Sequence, residues 1–255
     1  MKKDTAWLTS TPAAHRGLHN NKDLPENSLG AFDNAIKRGY SIEFDVWLTK
    51  DNNLVVHHDP KLTRTCGIKG RIVDIDSSKL DEYKLMNTNY SIPTFKRTLE
   101  LVNGAVGLII EVKPTRRVDE TCSKIWDILK DYKGNYCIES FDQHVVRWWA
   151  KNHPEIILGQ LCDWHPLHRI MVRRLKQYRF VDFLATSIKN LPSKYYQKIC
   201  KTNPDMLVIG WTVRTPKQFE LTVKNVDNII FETNDKNDEY IAPPNTTNNF
   251  CHREY

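Results

Sequence analysis

Hydrophobic and polar positions change places along this chain in a steady rhythm. Short apolar runs rich in β-branched residues fall near 11–14, 41–48, 106–112, 136–140, 156–161, 181–185, 207–213 and 228–231. Runs of that length and composition read as buried strands. Helical periodicity fills the intervals near 28–38, 94–103, 118–132, 142–152, 166–177, 193–202 and 216–224. Thr215-Pro216 and Pro192-Ser193 look like helix starts, because proline suits a first helical turn and a hydroxyl can cap it.

Strands alternating with helices in this way predict an α/β fold, with a TIM (β/α)8 barrel ahead of a doubly wound sheet. The polar residues decide between them. His15, Glu43 with Asp45, Glu111 with Lys113, Glu139 with Ser140, and Trp211 with Thr212 all sit at or near the C-terminal ends of different strands. In a closed barrel those ends converge on one rim, where active sites sit. No Gly/Ser linker or charge block divides the chain, so residues 1–255 are expected to form a single domain. The interval 60–91 breaks the rhythm: it is polar and irregular, with Gly67, Gly70, Asn87 and Asn89. It reads as a small insertion after the second strand that folds over the barrel mouth, entered by a short extra strand at 53–57. The tail from Asn234 reads as a loop or frayed end.

Composition narrows the function classes. The chain has 255 residues, 40% hydrophobic and 27% charged, which supports a packed core and excludes disorder. A formal net charge of +6 favours anionic substrates. The Lys and Arg residues are dispersed, so nucleic acid is not an expected partner. Six cysteines occur without CxxC pairs, a pattern of reduced thiols. No window approaches the ~18 apolar residues of a membrane helix, so a transmembrane segment is not expected and a cytoplasmic location is. Residues 167–176 form a basic amphipathic stretch, read as an outer barrel helix with its basic face in water. Peripheral membrane contact is not expected from it.

The chemistry concentrates in four strings: His15-Arg16-Gly17, Glu43-Phe44-Asp45, His57-His58-Asp59 and Glu111-Val112-Lys113. Residues two apart in a strand share a face, which pairs Glu43 with Asp45 and Glu111 with Lys113. Buried carboxylates side by side cannot all ionise without compensation. A hard divalent cation, Mg²⁺ or Ca²⁺, supplies that compensation. Arg16 offers a fork suited to phosphate, and Lys113 an ammonium that either neutralises a carboxylate or reaches a substrate anion.

The order of these strings resembles the glycerophosphodiester phosphodiesterase family. It runs from His15-Arg16-Gly17 through Pro25-Glu26-Asn27-Ser28, Glu43-Phe44-Asp45, Val55-Val56-His57-His58-Asp59, Ile92-Pro93-Thr94, Ile110-Glu111-Val112-Lys113 and Ser140-Phe141-Asp142 to Trp211-Thr212-Val213. The resemblance spans about residues 13–232. It implies a TIM barrel with an insertion after the second strand, and a metal-dependent enzyme that cleaves glycerophosphodiesters to glycerol 3-phosphate and an alcohol. It implies His15 and His58 as the acid/base pair, Glu43, Asp45 and Glu111 as metal ligands, and Arg16 and Lys113 as phosphate contacts. Trp211 would wall the substrate pocket, and Glu26 with Asn27 would support the rim. His58 is preferred to His57 because the family's motif is His-Asp. The nucleophile is left open between water and a glycerol hydroxyl. Glu232 stands where many members carry aspartate in a Thr-Asp-x-Pro ending, and no role is assigned to it. Two rivals remain: a lysophospholipase D-like enzyme acting on lipid or polymeric glycerol phosphate, and a barrel that binds phosphate without catalysis.

Overall fold

A computed structural model describes residues 3–163, 180–191 and 194–232. The nine strands among them are β1 (Ala13–His15), β2 (Ser41–Leu48), β3 (Leu54–Val56), β4 (Leu108–Val112), β5 (Tyr136–Ser140), β6 (Ile157–Cys162), β7 (Phe183–Ser187), β8 (Leu207–Val213) and β9 (Asn228–Phe231). The sheet runs β1-β9-β8-β7-β6-β5-β4-β2-β3, and β1 also pairs with β2. That last pairing closes eight parallel strands into the expected barrel. The ninth, β3, lies outside the closure as an antiparallel partner of β2.

Strand parity divides the apolar residues into two cores. Ile42, Phe44 and Val46 of β2, with Leu108, Ile110 and Val112 of β4, face outward and pack in one cluster with Phe32, Phe95 and Trp149. Each such fully buried side chain is worth roughly 1.5–3 kcal/mol. The helices that supply this outer layer begin as the sequence indicates. Ser28 and Thr94 accept from Ala31 and Arg97 amides, and Thr215 accepts from Gln218 ahead of Pro216 at the first turn.

Ala13, Ile109, Cys137, Ile157, Leu161, Phe183, Ala185, Ile209 and Ile230 form the second cluster, inside the barrel. A Cβ on Gly159 would lie 2.1 Å from the Phe183 ring, so only glycine on β6 admits that filling side chain. The short helix Ala6–Ser10, which the periodicity did not predict, belongs to this inner core through Leu8. The Asn228 amide, at the start of β9, donates to the carbonyls of Leu8 and Thr11 and ties that helix to the N-terminal end of the barrel. The opposite end is left for polar side chains.

The interval 60–91 holds the short helix Thr63–Cys66 and the 3-10 turns Ile72–Asp74 and Ser77–Glu82. Val55, Leu62, Ile72, Ile75, Leu80, Leu85 and Ile92 give it a small core of its own, so an irregular, polar stretch is nonetheless ordered. The helix expected at 166–177, the basic stretch 167–176 and the tail from Asn234 lie outside the described residues. No described helix is long and apolar enough to cross a membrane.

Candidate active site

Inward parity at the C-terminal strand ends assembles the polar residues. In register, His15 of β1 neighbours Glu43 of β2, Asp45 neighbours Glu111 of β4, and Glu111 neighbours Glu139 of β5. Glu43, Asp45 and Glu111 are buried, and each offers an oxygen within 4.8 Å of the others. Lys113 Nζ donates to Glu111 Oε1 at 2.8 Å and lies 2.6 Å from Asp45 Oδ1. The second contact is a buried ion pair. Asp45 Oδ2 accepts from Asn27 Nδ2 at 2.7 Å.

The electrostatics of this cluster are unequal. Burial opposes the Asp45 charge, but Lys113, His58 and Arg16 outweigh it and hold Asp45 well below the usual carboxylate range. Burial, with the charges of Asp45 and Glu111 beside it, pushes Glu43 well above that range. Glu111 is pushed up to about 7 by burial, against the pull of Lys113. One ammonium therefore cannot compensate three carboxylates. A buried, close-set trio of oxygen donors short of positive charge fits a hard divalent cation.

Two imidazoles flank this cluster. His15 Nδ1 is 3.1 Å from Glu232 Oε2, and its Nε2 is 3.9 Å from Glu43 Oε2. Burial lowers His15 to about 4, although Glu232 pulls the other way. His58 Nδ1 is 2.6 Å from Asp59 Oδ1. Its neighbour His57 is 1% exposed and has both nitrogens engaged. Nδ1 of His57 donates to the Asp59 carbonyl at 2.8 Å, and Nε2 meets Thr65 Oγ1 at 2.7 Å. His57 is thereby committed to holding the turn, and His58 is the one that reaches the pocket.

The rim is laced by arginines. Arg16 adopts positive φ, followed by Gly17 at φ +80°, a bend in which a Cβ on Gly17 would meet Phe32 at 2.8 Å. Arg16 donates through its backbone amide to Glu43 Oε2 and through its guanidinium to Glu26 Oε1. Arg64, from the insertion, grips both oxygens of Glu26 and both of Asp59. Glu26 is held down to about 2 by the two arginines in spite of its burial. Arg214 donates to Glu232 Oε2, the same oxygen that meets His15.

These residues open on a pocket of about 190 Å³. It is lined by His15, Arg16, Glu43, His58, Glu111, Glu139, Phe141, Leu161, Trp211, Thr212, Arg214 and Ile230. Trp211 stands where the β8–β9 register shifts, between Gly210 and Val213, and meets Phe141 edge-on at 5.8 Å. Of the side chains the sequence singled out, His15, Arg16, Glu43, His58, Glu111 and Trp211 line the pocket, with Asp45 and Lys113 directly behind. Sequence reasoning assigned no role to Glu139, Arg64 or Arg214. A carboxylate in the apolar run Cys137-Ile138-Glu139 was the same signal that marked Glu111, and it could have found Glu139.

The glycerophosphoryl diester phosphodiesterase family matches residues 15–236 of the chain. A glycerophosphodiester phosphodiesterase of Caldanaerobacter subterraneus subsp. tengcongensis is 31% identical over 85% of this chain and 91% of its own. A lysophospholipase D of Rattus norvegicus is 28% identical over 44% of this chain and 38% of its own. The crystal structure of a glycerophosphodiester phosphodiesterase from Thermotoga maritima superposes with a TM-score of 0.71 at 26% identity, covering 87% of this chain and 94% of that one. Barrel closure, the strand-end carboxylates and these similarities converge, and the chain belongs to the glycerophosphoryl diester phosphodiesterase family.

Proposed function

We propose that this protein is a metal-dependent phosphodiesterase that hydrolyses glycerophosphodiesters to glycerol 3-phosphate and an alcohol by acid–base catalysis with His15 and His58. One observation carries the reading. Two imidazoles, each held through Nδ1 by a carboxylate, line the same small pocket as the carboxylate cluster. Binding a phosphate does not require such imidazoles, whereas moving protons to and from a phosphodiester does.

Glu43, Asp45 and Glu111 would hold the divalent cation, Mg²⁺ or Ca²⁺. When bound, it would supply Lewis-acid stabilisation of the charge developing on the phosphoryl oxygens. Arg16 would bind the phosphate, with Lys113 beside it. Glu232 and Asp59 occupy Nδ1 of their histidines, which leaves Nε2 of each imidazole as the atom that exchanges a proton. In this division one histidine takes the proton of the attacking hydroxyl and the other gives one to the departing alkoxide. Arg64 would fasten the insertion to the barrel, so the 60–91 segment serves the same single domain and site. No disulfide joins the five described cysteines, which suits a reducing cytoplasm.

The test is turnover of glycerophosphocholine by the purified protein with Mg²⁺ or Ca²⁺. Chelation should abolish product release, and His58→Ala should lose at least a hundredfold in kcat. Release that is indifferent to chelator and to His58→Ala would overturn the reading. The rat lysophospholipase D relative favours one further substrate class, lysophospholipids. A panel of lyso-lipids against soluble diesters separates the two.

A further inference from the structure

Each of the two imidazoles assigned to proton transfer ends a chain of three side chains: an arginine, a carboxylate and a histidine. In the first chain Arg64 donates from Nε to Asp59 Oδ2 at 2.7 Å and from Nη2 to Asp59 Oδ1 at 3.0 Å. Asp59 Oδ1 in turn lies 2.6 Å from His58 Nδ1. In the second, Arg214 donates from Nε and Nη2 to Glu232 Oε2, at 3.1 and 2.9 Å. That oxygen lies 3.1 Å from His15 Nδ1. The two chains come from different parts of the fold. Arg64 belongs to the insertion, in the helix Thr63–Cys66, whereas Arg214 follows β8 and Glu232 follows β9.

A carboxylate alone holds an imidazole loosely, because the last torsion of Asp or Glu is broad. Arginine donors on the same carboxylate remove that freedom. They also keep the group charged. Burial opposes the charge on Asp59, but Arg64 and His58 hold it well below the usual carboxylate range. Burial opposes the charge on Glu232 too, and His15 and Arg214 outweigh it. The nearby backbone is fixed by other groups. Trp47 Nε1 donates to the His58 carbonyl at 3.2 Å, His57 Nδ1 donates to the Asp59 carbonyl, and the Arg214 amide donates to Gln218 Oε1. What the arginines add is a hold on the carboxylates themselves. Arg64 spreads four N–H bonds over Asp59 and Glu26, a pattern that the point charge of a lysine cannot reproduce.

We propose that Arg64 and Arg214 are positioning residues, one for each imidazole: Arg64 fixes the Asp59 carboxylate against His58, and Arg214 fixes the Glu232 carboxylate against His15. Each carboxylate then keeps the proton of its histidine on Nδ1 and leaves Nε2 to exchange protons. The inference rests on the acid–base reading above and adds to it the residues that hold both imidazoles in the working tautomer. Arg64 does not line the pocket, and Arg214 does so at its edge, half-exposed.

The experiment pairs turnover of glycerophosphocholine at saturating Ca²⁺ with proton–nitrogen NMR of the histidine rings. Arg64→Met and Arg214→Met should each lower kcat about ten- to a hundredfold, as loss of a group that orients a ligand or base does, with KM little changed. In a His58→Ala background Arg64→Met should cost less than about twofold more, and Arg214→Met likewise in His15→Ala, because groups that act as one unit are not additive. The rings of wild type should carry their proton on Nδ1. Each arginine variant should show mixed tautomers at its own histidine and leave the other unchanged. Arg64→Lys, which keeps the charge without the fork, should recover stability but little of the rate. Arg214 is half-exposed, so its variant tests the proposal even where Arg64→Met fails to fold. A tautomer unchanged in either variant, or a loss that persists in full when the partner histidine is absent, overturns the proposal. A raised KM with intact kcat in Arg214→Met also overturns it, since Arg214 would then touch the substrate directly. Full turnover by His15→Ala or His58→Ala would instead count against the acid–base reading, and the tautomers would still decide whether the arginines hold the rings.

Discussion

Lys113 places its ammonium 2.6 Å from Asp45 Oδ1 across the seam between β2 and β4. The same nitrogen donates to Glu111 on its own strand. It is thus the resident positive charge of a carboxylate cluster that a divalent cation would share. Removing one partner of a buried ion pair strands the other and costs about 3–5 kcal/mol. Lys113→Met should accordingly unfold at distinctly lower urea in the presence of chelator. Added Ca²⁺ or Mg²⁺ should recover more stability in the variant than in wild type, because the cation then takes over the charge of the missing lysine. Equal metal stabilisation of both proteins would show that the lysine and the metal do not share the cluster.

Glu43 gives the complementary variant. Burial and its carboxylate neighbours push it well above the ordinary range, so the metal-free protein favours its neutral form. Glutamine resembles that neutral acid in size and retains an oxygen to accept the Arg16 amide. Glu43→Gln should therefore match or exceed wild type in stability without metal, and lose the stabilisation that metal confers. A cation at a hundred times its Kd stabilises by about 2.7 kcal/mol. In a domain of this size that corresponds to roughly 5–10 °C in Tm. Calorimetric scans with and without Ca²⁺ read the difference directly. A full metal-induced shift in the variant would remove Glu43 from the ligand set.

The adjacent histidines should part company on mutation. His57 is enclosed and spends both nitrogens on Asp59 and Thr65. His58 lines the pocket, with Asp59 fixing its ring. His57→Ala should cost about 1–3 kcal/mol of stability from the partners left unsatisfied. His58→Ala should leave the unfolding midpoint near wild type and remove at least a hundredfold of kcat. Paired measurements of melting and turnover on the two variants make the comparison. A reversed pattern would transfer the proton-handling role to His57.

Most of this site is legible in the sequence, for definite physical reasons. Alternation in strands is local, so Glu43 with Asp45 and Glu111 with Lys113 followed from spacing alone, and barrel closure then fixed which ends meet. The choice between His57 and His58 was not local. It depends on Thr65, eight residues on, in a helix that no periodicity announced. The Ala6–Ser10 helix was hidden because five residues are too few to show a helical period, and its stability comes from Leu8 in the inner core and from Asn228. Glu232 could be located at a strand end, but its hold on His15 spans 217 positions and appears only when β9 closes on β1. The arginine lacing is likewise tertiary: Arg64 and Glu26 are 38 residues apart and meet only through the insertion.

That lacing makes acid stability a readout of the rim. Glu26 is 3% exposed, accepts from Arg16 and Arg64, and is held down to about 2 in the folded protein against an ordinary 4.5. A carboxylate depressed on folding contributes stability that is fully present above its ordinary pKa and is lost as the pH falls through the folded one. For this group the loss runs from about pH 4.5 down towards pH 2, and amounts to on the order of 3 kcal/mol. Wild type should therefore lose urea resistance steeply across that window. Glu26→Gln should start lower at pH 6, where Arg16 and Arg64 lose their counter-charge, and then decline along a shallower slope. Urea midpoints at half-unit intervals from pH 6 to pH 2.5 measure both slopes. Parallel curves for the two proteins would mean that Glu26 is ionised no more readily in the fold than in the unfolded chain, so that the charges of Arg16 and Arg64 do not hold its carboxylate down.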